Sequence, residues 1–225
     1  MTIVLAVAAH PDDEVLGCGG TLARHAAEGD DVHVLILAEG AAARGASGNA
    51  EIEALGDAAI AAAEALGVHP PRLLGLPDNR LDSLDLLDVV RMVEEIVADV
   101  SPGVVYTHHQ GDLNVDHQIA FRAALTACRP QPPSPVRNIY TFETPSSTEW
   151  APPDASDAFV PRRFVDISAT LERKMAALAC YETEMRPFPH ARSIEAVEAL
   201  ARWRGATVGV PAAEAFDVVR QRVVG

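Results

Sequence analysis

An imidazole and three carboxylates stand within five residues of one another near the start of the chain, in the run Ala9-His10-Pro11-Asp12-Asp13-Glu14. The apolar run from Ile3 to Ala8 precedes them and is typical of a buried strand. In open α/β sheets, ligand and catalytic sites form beyond the carboxyl ends of the strands. Imidazole and carboxylate groups are ligands that Zn²⁺ or a similar ion prefers. The segment therefore predicts a metal site, although an acidic turn that caps the next helix has the same composition.

A second segment rich in histidine and aspartate, residues 108–117, follows the predicted strand from Gly103 to Thr107. Because the carboxyl ends of parallel strands meet at one edge of a sheet, we expect the two segments to lie close together. Asp116 and His117 open a predicted helix, which would hold them rigidly, as a metal site requires. Two such clusters at neighbouring strand ends favour a metal centre over a pair of solvated turns.

Strand-like and helix-like patterns alternate along the chain and predict the elements that position these clusters. The predicted strands are Ile3 to Ala8, Asp31 to Ala38, Arg72 to Leu76, Gly103 to Thr107, Val136 to Glu143 and Arg163 to Ile167. The predicted helices are Val15 to Glu28, Ala50 to Leu66, Leu84 to Val100, Asp116 to Cys128, Ser168 to Thr183 and Ser193 to Arg204. Successive strand-helix units predict an α/β, Rossmann-like three-layer sandwich with a mostly parallel sheet.

Length and composition limit the class of protein. A chain of 225 residues has room for one α/β domain, and we expect a single domain over residues 1–225. The 18 Lys and Arg residues against 32 Asp and Glu give a net charge of -14, which argues against nucleic acid as a partner. Cys18, Cys128 and Cys180 lack CxxC spacing and are typical of reduced thiols. Lys174 is the only lysine and hence the only candidate for Schiff-base chemistry.

Hydropathy gives no sign of a membrane protein. No apolar stretch is long enough to cross a bilayer, and no basic segment precedes the short apolar run at the start. We therefore expect a cytoplasmic protein without membrane insertion, and a homo-oligomer remains open.

The glycine-rich run Gly17-Cys18-Gly19-Gly20 raises the question of a dinucleotide-binding turn. It lies beyond the carboxylate cluster rather than at the strand exit, and the GxGxxG spacing is absent. We therefore expect these glycines to allow close packing of a helix.

The two clusters together resemble the PIG-L or LmbE-like family of zinc-dependent N-acetylglucosaminide deacetylases. The AHPDDE run at 9–14 and the Asp-His pair at 116–117 carry the resemblance. Similar segments at Leu35 to Gly40, Leu74 to Arg80 and Tyr181 to Gly205 extend it over most of the chain. It implies an LmbE-like fold and hydrolytic removal of an acyl group, usually acetyl, from the nitrogen of an amino sugar or a related conjugate.

By position, the resemblance makes His10, Asp13 and His117 the ligands of Zn²⁺, with Fe²⁺ as an alternative, and leaves one coordination position for water. It makes Asp12 the general base, which would take the proton of the attacking water and return it to the leaving amine. The metal would polarise the carbonyl oxygen and stabilise the tetrahedral oxyanion.

Glu14 and Asp116 are expected to orient imidazoles or to cap helices.

The residue at position 114 departs from the family pattern. Many members have His-Pro-Asp-His in the second motif, where this chain has Asn114-Val115-Asp116-His117. Asn114 can donate a hydrogen bond to an oxyanion but cannot act as an acid near neutral pH. Either that role is weaker here or another residue fills it.

The candidates for that role are His108, His109 and His190. His190 stands out because it lies in the Pro-bounded run from Pro187 to Ser193, just before a predicted helix. Packing against that helix is its alternative role.

Substrate recognition is assigned to Arg44, Asp78 and Arg192, which suit sugar hydroxyls or an attached phosphate, although each also fits a solvated surface charge. Trp150 is a candidate for stacking on a sugar, or for a packing anchor. Family members often carry an arginine early in the helix that begins near Ala50, but this chain has none there.

Two other functions remain open from the sequence. One is a metallohydrolase that cleaves a different amide or a carbamoyl group in a biosynthetic pathway. The other is a non-catalytic homologue that binds sugar or metal, which the absence of a histidine at position 114 would fit. The intact Asp12 argues against such a non-catalytic homologue. The partner that the resemblance implies is a small amino-sugar substrate.

Overall fold

Apolar strands alternate with helices in the computed structural model of the chain, which describes residues 1–40, 48–152 and 157–223. The strands are β1 (Ile3–Ala8), β2 (Asp31–Ala38), β3 (Arg72–Leu76), β4 (Val104–His108), β5 (Asn138–Phe142), β6 (Arg163–Asp166) and β7 (Ala213–Gln221). The helices are α1 (Asp13–Ala27), α2 (Asn49–Leu66), α3 (Leu86–Val100), α4 (Val115–Ala127), α5 (Leu171–Ala179) and α6 (Ile194–Ala206). No helix in these three ranges is long and apolar enough to span a membrane.

The strands form a mostly parallel sheet covered on both faces. Its order is β3-β2-β1-β4-β5-β7-β6. The pairs β1–β2, β1–β4, β2–β3 and β4–β5 are parallel, whereas β7 runs antiparallel to β5 and β6. Helices α1, α2, α5 and α6 pack on one face, and α3 and α4 pack on the other. The predicted α/β three-layer sandwich is confirmed.

The central strand β1 is buried on both sides, which explains its continuous apolar sequence. Val4, Ala6 and Ala8 point into the core beneath α1 and α2, whereas Leu5 and Val7 point into the core beneath α3 and α4. The neighbouring strand β4 is buried along its whole length. Because the two strands end side by side, the segments that follow them meet at one edge of the sheet.

The strand β7 is not among the predicted strands, yet it lies inside the sheet between β5 and β6. Its sequence AEAFDVVRQ begins with alternating small and acidic residues rather than a continuous β-branched run. Glu214 is nevertheless buried, because its carboxylate accepts hydrogen bonds from the N–H groups of Gly20 and Thr21, at 2.9 and 2.7 Å. The strand β7 therefore forms because it pairs with strands that are distant in the sequence. The pattern of its own residues does not indicate a strand.

The helix predicted from Ser168 to Thr183 is shorter, since α5 covers only Leu171–Ala179. Ser168 instead forms a turn in which its N–H and its hydroxyl both donate to Asp166 Oδ1, at 2.9 and 2.5 Å. Such local side-chain bonds compete with helical hydrogen bonds, so the helix begins later than predicted.

Lys174, the only lysine, lies on α5 and is buried where this helix packs near β7. Its Nζ lies 2.6 Å from Glu214 Oε1 and donates to the carbonyl oxygen of Leu16 at 2.9 Å. A buried charge needs such partners, because an unpaired one is strongly destabilising. Lys174 thus joins α1, α5 and β7, and its amine is not accessible for Schiff-base chemistry.

The glycines of α1 allow this helix to lie against the sheet. A Cβ at Gly17 would lie 2.1 Å from Phe142 Cδ2, and one at Gly20 would lie 2.7 Å from Ile167 Cδ1. Both distances are far below van der Waals contact, so the close approach depends on the missing side chains. The expected role of these glycines in helix packing is confirmed.

Replacing Gly17 by alanine should therefore lower the free energy of unfolding by about 1–3 kcal/mol through overpacking. Gly56→Ala is the matched control, because Gly56 also lies in a helix and a Cβ there would meet Leu73 Cδ1 at an ordinary 3.5 Å. That variant should be neutral or more stable, since alanine favours a helix over glycine. Urea unfolding measures both variants, and equal stabilities would contradict the packing argument.

Candidate metal centre

Three predicted metal ligands meet at the carboxyl edge of the sheet. His10 follows β1, Asp13 is the first residue of α1, and His117 lies in the first turn of α4. His10 Nδ1 and His117 Nε2 each lie 3.2 Å from Asp13 Oδ2. Asp13 and His117 are buried, and the side chain of His10 is only 12% exposed. One carboxylate oxygen therefore faces two imidazole nitrogens at the bottom of a shared site.

The donor set fits a tetrahedral ion such as Zn²⁺. Zinc binds imidazole nitrogen and carboxylate oxygen at about 2.0–2.2 Å, which places two of its tetrahedral ligands roughly 3.3 Å apart. The two nitrogen-to-oxygen distances of 3.2 Å agree with this spacing. Three protein ligands also leave a fourth position open, as in catalytic zinc sites. His10, Asp13 and His117 are thus suited to hold a metal ion.

Carboxylates behind both imidazoles fix the orientation of the rings. His10 Nε2 lies 3.1 Å from Asp116 Oδ2 and 3.3 Å from Asp78 Oδ1. His117 Nδ1 lies 3.0 Å from Asp112 Oδ1. Each ring can donate a hydrogen bond away from the centre and keep its other nitrogen for a metal, as metal-binding histidines commonly do. Asp116 occupies the predicted orienting position, and Asp112 adds a second one that the sequence did not single out.

Asp116→Asn should weaken metal binding about 10- to 100-fold. Asp116 Oδ1 accepts a hydrogen bond from the Leu81 N–H at 2.9 Å, and an asparagine can keep this bond. The amide nitrogen of that asparagine would then face His10 Nε2. It would donate a hydrogen bond at the position where the carboxylate of Asp116 accepts one. Competition with a chromophoric chelator measures the dissociation constant. The exposed Asp82→Asn serves as the control, and equal affinities of the two variants would contradict an orienting role for Asp116.

Asp12 lies next to the ligands in an unusual backbone conformation. Its φ of 105° is in the region where side chains are strained. The Asp12 N–H donates to Glu14 Oε2 at 3.1 Å, and Glu14 Oε1 accepts from the Tyr181 hydroxyl at 2.6 Å. Glu14 and Tyr181 therefore hold the turn that carries Asp12. Glu14 thus caps this turn. Tyr181 begins one of the segments that extend the family resemblance, but the sequence did not assign it a role.

Arg192 contacts the carboxylate of Asp12 directly. Its Nη1 lies 3.0 Å from Asp12 Oδ2 and 3.8 Å from Glu184 Oε2. Burial raises the pKa of Asp12, the neighbouring Asp13 raises it further, and Arg192 opposes both effects. Arg192, which the sequence assigned to substrate binding, thus forms an ion pair with the predicted general base.

His108 and His109 do not face the space above the ligands. His108 Nε2 accepts a hydrogen bond from the Ala9 N–H at 2.9 Å, so its proton lies on Nδ1. Burial, and then the neighbouring His117, lower the pKa of His108 to about 4, which leaves the ring neutral near pH 7. His109 Nε2 lies 2.9 Å from the carbonyl oxygen of Asp157. Both rings are therefore engaged by the protein itself.

Asn114 is the N-cap of α4. Its Oδ1 accepts from the Asp116 N–H at 2.8 Å, and its Nδ2 donates to Asn79 Oδ1 at 3.0 Å. Asparagine is a favoured cap, so this residue also has a structural reason to be present. An amide nitrogen carries two hydrogens, and the second is left for a ligand in the cavity that Asn114 lines.

A polar cavity of about 280 Å³ opens above the metal ligands. Its charged lining contains four carboxylates and one guanidinium, on Asp12, Asp13, Asp78, Glu184 and Arg192. Neutral donors and acceptors surround them, on Asn79, Asn114, Thr144, Ser146 and Ser147. Such walls suit a small ligand that is rich in hydroxyl groups more than they suit an anion.

The other predicted recognition residues differ in their relation to this cavity. Asp78 lines it, and Arg44 lies outside the described residues. Trp150 is 54% exposed, and its ring centre lies 5.7 Å from that of His190. His190 Nδ1 accepts from the Arg192 N–H at 3.1 Å, and His190 is not among the described residues that line the cavity. His190 thus contacts the backbone of Arg192 and does not line the described part of the cavity.

The sheet and its His-Asp-His cluster define an α/β protein with a candidate metal centre at the carboxyl edge of parallel strands. Residues 5–128 match the family model for PIG-L, described as GlcNAc-PI de-N-acetylase, and the chain belongs to this family. The resemblance found in the sequence is confirmed.

Relatives of this chain cover most of its length. The uncharacterized deacetylase YaiS of Escherichia coli (strain K12) is 33% identical over 181 residues, which are 78% of this chain and 88% of that protein. The 1D-myo-inositol 2-acetamido-2-deoxy-alpha-D-glucopyranoside deacetylase of Saccharomonospora viridis is 30% identical and covers 96% of this chain and 95% of its own. The crystal structure of GalB, the 4-carboxy-2-hydroxymuconate hydratase of Pseudomonas putida KT2440, superimposes with a TM-score of 0.79 at 26% identity, over 100% of this chain and 99% of that chain.

Proposed function

We propose that this protein is a metal-dependent hydrolase that removes an N-acetyl or similar N-acyl group from an amino sugar or an amino-sugar conjugate. The observation that carries the proposal is the convergence of His10, Asp13 and His117 at 3.2 Å spacing, with the carboxylate of Asp12 lining the same cavity. The deacetylase names of two relatives that cover most of the chain support it.

His10, Asp13 and His117 would hold Zn²⁺, with Fe²⁺ as the alternative. When bound there, the metal supplies Lewis acidity that activates water and polarises the carbonyl group of an amide. The carboxylates on Asp116 and Asp112 keep the imidazoles turned toward this position.

Asp12 would act as general base and then as general acid. Its carboxylate accepts a proton from water as the water attacks the amide carbonyl, and the same proton passes to the leaving nitrogen when the C–N bond breaks. Arg192, 3.0 Å from Oδ2, keeps the carboxyl group in one orientation during both transfers. The turn held by Glu14 and Tyr181 fixes its backbone.

Asn114 would donate its second Nδ2 hydrogen to the substrate oxygen that becomes negative during the attack. A neutral donor of this kind stabilises charge without supplying a proton. Asp78, Arg192 and Arg44 would bind the hydroxyl groups of the sugar. The excess of carboxylates in the cavity favours a neutral N-acylated sugar, free or linked to another neutral group.

His190 is proposed to support catalysis through Arg192, whose N–H it accepts. His190→Ala should cut turnover sharply while zinc content stays at that of the wild type. Steady-state kinetics and metal analysis of the same preparation measure both quantities. Near-normal turnover would show that His190 only packs beside Trp150.

The test of the proposed function is amine release from a panel of N-acetylated amino sugars, free, nucleotide-linked and cyclitol-linked. We expect release with at least one of them when zinc or iron(II) is present, and none after a chelator has removed the metal. Analogues with another N-acyl group extend this panel. An analogue with a carbamoyl group and 4-carboxy-2-hydroxymuconate form the comparison arm, in which hydration of the latter is followed by its ultraviolet absorbance because it contains no nitrogen. Activity in the comparison arm alone, or no activity in the metal-loaded protein, would overturn the proposal.

A further inference from the structure

A second group of metal-ligating side chains lies at the edge of the sheet opposite the cavity. Asp31 is the first residue of β2 and pairs in register with Ile3, the first residue of β1. His33 follows two residues later, and His69 lies just before β3. The cavity, in contrast, is built from segments that follow the carboxyl ends of the strands. An ion bound here would therefore be remote from the proposed reaction.

Two imidazoles converge on the carboxylate of Asp31. His33 Nε2 lies 3.2 Å from Asp31 Oδ2, and His69 Nε2 lies 2.7 Å from Asp31 Oδ1. The two imidazole rings are stacked, with centres 4.6 Å apart and planes 21° from parallel. One donor atom from each residue lies within 4.8 Å of the others. Each ring thus directs its Nε2 atom toward the carboxylate of Asp31.

The backbone keeps these donors in place. Asp31 and His33 are two residues apart on a strand, so their side chains share a face of β2. The Asp31 N–H donates to the Thr2 carbonyl oxygen at 2.9 Å. The His69 N–H donates to the Val32 carbonyl oxygen at 3.1 Å, which ties the segment before β3 to β2. Donors on such a rigid support need little rearrangement to bind an ion.

We propose that Asp31, His33 and His69 form a second metal site, which takes Zn²⁺ or another divalent transition-metal ion. Two imidazoles and a carboxylate are a donor set that these ions prefer. The side chains are 32%, 21% and 56% exposed, so an ion enters from solvent and water completes its coordination. The strand β3 is the outermost strand of the sheet and pairs only with β2 among the described strands, so the ion would fasten this edge.

The test is the zinc stoichiometry of the full chain at equilibrium, measured by dialysis and elemental analysis. His117→Ala removes a ligand of the cavity centre, and this variant should still bind one zinc ion per chain. His69→Gln keeps a hydrogen-bond donor beside Asp31 but is a poor zinc ligand. The double variant should bind none, and zinc should raise the Tm of His117→Ala but not that of the double variant.

Two results would overturn the second site. A His117→Ala variant that binds no zinc would show that the cluster is held together only by hydrogen bonds. A double variant that still binds one ion would place the remaining zinc elsewhere. His69→Gln alone should retain the turnover of the wild type, so a failure of the proposed deacetylase function leaves this stoichiometry test intact.

Discussion

Replacing Asp12 by asparagine should lower kcat/KM for the hydrolysis of an N-acetyl amino sugar about a thousandfold, within the range found for loss of a general base. Asparagine has nearly the same shape but cannot accept the proton of the attacking water. The backbone bond from residue 12 to Glu14 does not depend on the side chain and should remain. Turnover should fall while metal content and the unfolding transition stay close to those of the wild type.

The matched control for this variant is Asp57→Asn, at an exposed position on α2. It removes the same charge far from the cavity and should keep full activity. Steady-state kinetics, metal analysis and urea unfolding on both variants separate a chemical role from a structural one. A twofold loss at Asp12 with normal metal content would assign the proton transfer to another group.

His117→Ala should remove the metal of the cavity centre and, with it, the activity. His117 Nε2 faces Asp13 Oδ2, and its Nδ1 is held by Asp112. The Nε2 of His108 also lies 3.4 Å from Asp13 Oδ2, but it accepts a hydrogen bond from the Ala9 N–H and is therefore occupied. Loss of one of three protein ligands should lower metal affinity by more than the 10- to 100-fold expected for the carboxylates behind the rings. Turnover should fall to that of the chelator-treated wild type.

Occupancy of the cavity centre and turnover must be measured together, because the exposed cluster of Asp31, His33 and His69 is also expected to bind zinc. Measurements in a chain that carries His69→Gln exclude the zinc bound by the exposed cluster. In this background, His117→Ala should bind no metal, and addition of excess zinc should not restore turnover. Full activity without bound metal would contradict the metal-dependent mechanism.

Periodicity and the alternation of strands and helices predicted most of the fold, because a strand covered on both faces has a continuous apolar sequence. The buried runs of β1 and β4 are clear examples. The strand β7 escaped prediction because its buried Glu214 is satisfied by Gly20, Thr21 and Lys174, none of which is near it in sequence. A pattern within one segment carries no information about partners so far away.

The candidate metal centre was predictable for a related reason. His10, Asp12 and Asp13 are adjacent in the chain, and His117 lies in a second cluster at the next strand end, so topology alone brings them together. The supporting residues were not predictable in this way. Tyr181 and Glu184 reach the site from the segment after α5, where they resemble ordinary polar residues of a turn.

Arg192 shows the limit of predicting a role from residue type. A guanidinium near a sugar site suggests contact with substrate, and this one is also paired with Asp12 at 3.0 Å. The Pro-bounded loop around it gave no indication of that pairing. Roles that depend on which of two acidic neighbours an arginine meets require the three-dimensional structure.

The pairing of Lys174 with Glu214 turns amine labelling into a measure of unfolding. Because Lys174 is the only lysine, its side chain can react with an N-hydroxysuccinimide ester only when α5 separates from β7 and exposes Nζ. When opening and closing are faster than labelling, the rate at which mass spectrometry detects the modified lysine reports the fraction of open molecules. The modified lysine, which mass spectrometry distinguishes from a labelled terminal amine, therefore reports the conformational stability of the protein at one defined position.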